Sequence, residues 1–68
     1  MKKSSTLGSR IRAARIRREL TQQEAAAALG VHEVTWNRWE SGLLQPTLAH
    51  LLAVAKALRI EPQRLILG

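Results

Sequence analysis

Apolar residues recur along this chain at intervals of three and four, and nowhere alternate singly over any length, so the pattern predicts helices without strands. The fold class is all-α. Leu7, Ile11 and Ala14, at i, i+4 and i+7, give a first helix over residues 5–19 with one apolar stripe. Thr21 with Glu24 three residues on has the spacing of a capping box, in which each side chain satisfies an unpaired backbone N–H at the start of a helix. The second helix then runs over 22–29 and stops at Gly30, a residue suited to a left-handed C-terminal cap. A third helix covers 33–40 and ends at Gly42. Gln45, Pro46 and Thr47 supply a turn and a cap, after which Leu48, Leu51, Leu52, Ala55 and Leu58 sit at helical spacing in a fourth helix. Pro62 is tolerated in the first turn of a last short helix that carries Leu65 and Ile66. Arg59 stands where glycine would be the comfortable stop for the fourth helix, so either Arg59 takes an unfavourable backbone conformation or the helix ends differently.

The third segment, VHEVTWNRWESG, contains both tryptophans, and the chain has neither Phe nor Tyr. At about 100° per residue, Trp36 and Trp39 lie only ~60° apart around the helix, with Glu40 ~40° from Trp36. Val34 and Arg38 lie opposite, at ~160° and ~200°, flanked by Asn37 and Glu33 at ~100° and ~60°. Large apolar side chains aligned in this way form core more often than a binding surface. The tryptophans therefore face inward, and the candidate core is Leu7, Ile11, Ala26, Leu29, Trp36, Trp39, Leu51, Leu52 and Leu58.

Composition narrows the class further. Sixty-eight residues make one domain, and so small a domain buries only about 60% of the surface its unfolded chain exposes. Hydrophobic residues at 46% and charged ones at 24% suit a folded chain. With no cysteine there is neither a disulfide framework nor a thiolate metal site, and the default location is the cytoplasm. The start, MKKSST, lacks the apolar run of a signal peptide or membrane span. We read residues 1–4 as a flexible basic N-terminus and 5–68 as the domain. Eleven Lys and Arg against five Glu give a net charge of +6, with seven of the cations between Lys2 and Arg18. Such a field attracts polyanions, nucleic acid first and an acidic membrane second, although charge alone equally suits a solvated basic face. Enzyme chemistry has little to stand on: Cys, Asp and Tyr are absent, His32 and His50 form no recognisable pair, and no glycine-rich phosphate loop appears. No metal or cofactor is implied.

The run LTQQEAAAALGVHEVTWNRWESG followed by PTLAHLLAVAKAL resembles the lambda-repressor-like, Cro-type helix-turn-helix family over nearly the whole chain. Thr21-Gln22, Glu24, Ala26, Leu29-Gly30-Val31, Trp39-Glu40, Gly42, Pro46 and the leucines from 51 to 58 all fall at family spacing together. The resemblance implies five helices, with the third in the major groove of double-stranded DNA and a homodimer on a partly palindromic operator. Glu33, Val34, Asn37 and Arg38 match the base-reading positions, and their chemistry suits cytosine, a thymine methyl, adenine and guanine respectively. Thr21, Gln22, Ser41 and Gln45 match positions that contact phosphate, Thr21 being a cap first; His32, at an N-cap where the family often has Ser or Thr and histidine caps poorly, either reaches a phosphate or is partly packed. Arg15 and Glu40 match a salt bridge that ties the first helix to the third, a scaffold role.

Two departures stand out. Leu43 and Leu44 replace the polar or basic residues usual in the loop after the third helix, and so would cover core or form a dimer contact. Ala25 replaces a large aliphatic while Trp36 replaces Ile or Val, which suggests that the indole fills the volume Ala25 leaves. Function is then sequence-specific DNA binding by a small, repressor-like regulator. The alternative is an antitoxin or other protein-interaction module of the same fold, docking through Leu43, Leu44 and Leu65-Ile66-Leu67.

Overall fold

Helices in this chain begin where a side chain takes over amides that the first turn leaves unpaired or, at the last one, with Pro62, which has no amide to leave unpaired. In the computed structural model, which describes residues 6–68, there are five: α1 Leu7–Arg17, α2 Gln22–Leu29, α3 Glu33–Ser41, α4 Leu48–Leu58 and α5 Pro62–Leu67. No strand occurs among the described residues.

Thr6 caps α1 through a reciprocal box with Ser9, at 3.1 and 3.0 Å. The helix closes at Arg18 because Glu19 turns left-handed, at φ 59°. It is therefore shorter than the expected 5–19, since an apolar stripe marks a face and not the last paired amide. The basic segment 1–4 and residue 5 lie outside the described residues.

Thr21 and Glu24 form their capping box at 3.0 and 2.9 Å. Gly30 closes α2 at φ 72°, a conformation open to glycine at no steric cost. α3 runs one residue beyond the expected end. Arg59 takes the unfavourable alternative, capping α4 at φ 56°.

The core consists of Ile11, Ala14, Ala25, Ala26, Trp36, Trp39, Val54, Ala55, Leu58 and Leu65, all essentially buried. Leu7, Leu29 and Leu51 are partly buried against it. Leu52 does not belong to it, being 48% exposed. Around α4, Leu51 is within ~60° of Val54, Ala55 and Leu58, whereas Leu52 is rotated ~100° from Leu51 and shares a face with Leu48. Ala25 and Trp36 are both fully buried in the same cluster.

Gly8 and Arg10 seat α1 against α3 and α5. Gly8 lies so close to α3 that a Cβ there would stand 2.4 Å from the Glu40 carbonyl oxygen and 2.7 Å from that of Trp39. The Arg10 guanidinium donates from Nε to the Leu65 carbonyl at 2.7 Å and from Nη2 to that of Ile66 at 2.9 Å, satisfying carbonyls at the end of α5. Among the described residues no helix is long and apolar enough to cross a membrane.

Candidate nucleic-acid interface

α3 divides as its sequence predicts. Trp36 and Trp39 are buried, their ring centroids 5.6 Å apart, and the half-buried His50 lies against Trp39 at 5.1 Å. Glu33, Val34, Asn37 and Arg38 are all exposed, Val34 by 47%. One helix thus anchors its inner wall with two indoles and offers charge, amide and methyl groups on the other side.

Glu40 joins three helices. Its carboxylate accepts from Arg15 Nε at 2.6 Å and Nη2 at 3.2 Å on α1, from Gln22 Nε2 at 3.0 Å on α2, and from the Trp36 indole N–H on its own helix. The pair's side chains are only 12% and 4% exposed. Burial alone would push the Glu40 carboxyl up, but the hydrogen bonds from Arg15, Gln22 and Trp36, with the charge of Arg15, outweigh this and hold it below the ordinary glutamate value of 4.5. Arg15 also donates to the Leu20 carbonyl at 2.7 Å, closing the turn between α1 and α2. These contacts give both residues the structural setting a scaffold pair needs.

The expected phosphate-contacting residues stand at the starts of α2 and α3, at the end of α3 and in the segment after it. Thr21 is occupied as a cap, which leaves the first two amides of α2, those of Gln22 and Gln23, without intrahelical partners at the positive end of the helix dipole. His32 does cap α3: its Nδ1 accepts from the Val34 amide at 3.1 Å, so the ring carries its proton on Nε2. Histidine succeeds here because the extended backbone of His32, at ψ 147°, brings the ring nitrogen within reach of that amide. Ser41 donates to the Arg38 carbonyl at 3.2 Å, and Gln45 is exposed.

Leu43 and Leu44 are 78% and 43% exposed and so do not cover core. Leu48 at 65% and Leu52 at 48% are exposed as well, so four leucines between residues 43 and 52 face solvent. Leu65 is fully buried, which removes the first of the C-terminal apolar residues from any docking surface.

One feature of the site is invisible to spacing along a single helix. The Asn37 amide donates from Nδ2 to Gln22 Oε1 at 3.3 Å, linking the exposed face of α3 to Glu40 through α2. The only hint in the sequence is that Asn37 falls ~100° from Trp36, between the inner and outer sides. Among the described residues no group of three His, Cys, Asp or Glu could hold a metal ion.

The geometry agrees with what the chain is similar to. A helix-turn-helix family pattern matches residues 11–65. The HTH-type transcriptional regulator DicA of Escherichia coli K12 is 36% identical over 66 residues, covering 97% of this chain and 49% of DicA. The repressor protein C2 of Salmonella phage P22 is 36% identical over 62 residues, 91% of this chain and 29% of C2, so the chain spans half or less of either relative. The P22 c2 repressor solved in complex with a synthetic operator superposes with a TM-score of 0.85 at 34% identity, over 91% of this chain and 94% of that one. The chain belongs to the lambda-repressor-like, Cro-type helix-turn-helix family of DNA-binding domains.

Proposed function

We propose that this chain binds double-stranded DNA sequence-specifically, as a repressor-like transcriptional regulator, with α3 in the major groove. The observation that carries the reading is the division of α3: two buried indoles fix the helix while Glu33, Val34, Asn37 and Arg38 stand exposed on its other side. Asn37 reads adenine, Arg38 guanine, Glu33 a cytosine amine and Val34 a thymine methyl. Phosphates meet the N-terminal amides of α2 beside Thr21 and Gln22, the Nε2–H of His32, and the loop of Ser41 and Gln45. The exposure of Leu43, Leu44, Leu48 and Leu52 supports a homodimer, and hence an operator of two related half-sites about 10 base pairs apart. Such a regulator works in the cytoplasm, where its DNA is.

Selection of bound oligonucleotides from a random pool tests this. The expected outcome is one enriched, partly palindromic site whose preference at one base pair in each half disappears when the selection is repeated with Asn37→Ala. No enrichment at low salt would refute DNA reading. A site without two-fold symmetry would refute the dimer.

A further inference from the structure

A carboxylate held ionised can only accept hydrogen bonds, and that constraint spreads outward from Glu40 through the amides beside it. Gln22 approaches Glu40 Oε1 at 3.0 Å and has to present its NH2 group, which turns its own oxygen away. That oxygen meets Asn37 at 3.3 Å and, being an acceptor, requires the Asn37 NH2 group in turn. One Asn37 N–H is thereby taken. Its oxygen and second N–H remain open, the acceptor and donor that the N6 amine and N7 of adenine need.

An exposed asparagine with no neighbour flips freely between two amide orientations that present oxygen and NH2 in opposite order. We propose that Gln22 is a positioning residue for base recognition: its amide transmits the polarity of Glu40 to Asn37 and fixes Asn37 in the orientation that pairs with adenine. The inference rests on the DNA-binding reading given above and goes beyond it on Gln22, which there only stands beside the α2 amides that meet a phosphate. It places the cost of ordering Asn37 in the folding of the free protein, so that less is lost when DNA binds. It also makes the buried Arg15–Glu40 pair the distant support of one specificity contact.

The test uses Gln22→Met, which keeps the length of the side chain and removes both polar ends. Affinities are measured for the site selected by the unaltered protein and for that site changed at the base pair that Asn37→Ala ceases to distinguish. The expected result is a loss of about tenfold in preference for adenine at that base pair alone. The double variant Gln22→Met with Asn37→Ala should lose no more preference there than Asn37→Ala does. A uniform loss across all sequences, with a salt slope smaller by about 1, would instead mark Gln22 as a phosphate grip and overturn the proposal. Nitrogen-15 spectra of the free protein separate this from failure of DNA binding itself: the Asn37 side-chain amide should lose its distinct shifts in Gln22→Met. Unchanged Asn37 amide signals would overturn the relay whatever the DNA experiment gives.

Discussion

Glu19 and Arg59 hold left-handed backbone, at φ 59° and φ 56°, without being glycine. Each such residue costs roughly 1–2 kcal/mol against the right-handed form. Arg59 earns its place only as a stop: its amide donates to the last carbonyls of α4, and α5 follows after Glu61. Glycine would remove the strain but raise the entropy of the unfolded chain by about 0.5–1 kcal/mol, so Arg59→Gly should stabilise by a net ~0.5–1 kcal/mol. For a domain of this size that is a rise of a few degrees in Tm, measured by thermal unfolding, and an unchanged or lower Tm would show that the strain is compensated locally. The Arg59 conflict was legible because the apolar pattern of α4 stops at Leu58 with no glycine behind it. The Glu19 turn was not, because a polar residue after a polar helix end leaves no gap in the pattern. His32 is a poor cap by propensity, yet on its extended backbone its Nδ1 reaches the Val34 amide.

Along one helix, spacing tells which side chains share a face; it does not tell which other helix that face meets. The inward turn of Trp36 and Trp39 and the outward turn of Asn37 and Arg38 could therefore be read from residue numbers alone. Leu52 was misplaced because a helix of eleven residues with four leucines has more apolar side chains than its neighbours can cover. Gly8 is the sharper case. In sequence it is an unremarkable glycine near a helix start, where alanine would be the better helix former by about 1 kcal/mol. In the fold it is the point where α1 meets the backbone of α3, with carbonyl oxygens where a methyl group would go. Backbone cannot yield as a flexible side chain can, so contact outweighs propensity. Gly8→Ala should destabilise by at least about 1–3 kcal/mol, the range for forcing a methyl group into a packed interior. Urea unfolding gives the sign directly, and a stabilised Gly8→Ala would show that α1 and α3 can part at no cost.

Across the whole molecule the joint is Glu40, on which α1, α2 and α3 converge through Arg15, Gln22 and Trp36. The resemblance pointed to the Arg15–Glu40 pair, but the shared acceptor became visible only once three helices stood in place. Four hydrogen bonds from three residues on one buried carboxylate tie acid stability to a single proton. Glu40 titrates below 4.5 in the folded protein, so the folded state binds that proton less readily than the unfolded chain. Its contribution to stability is then complete above the ordinary glutamate value and is lost as pH falls from there through the lower folded-state value. Glu40→Gln cannot titrate, and at neutral pH it leaves Arg15 facing a neutral amide, with a cost approaching the roughly 3–5 kcal/mol of breaking a buried pair. The stability gap between the two proteins, from urea midpoints at a series of pH values, should be constant near neutrality and narrow steadily below 4.5. Other carboxylates titrate in both proteins and largely cancel in the difference. A gap that stays level into acid would mean that Glu40 holds the three helices by shape alone, and that its charge does not govern the junction.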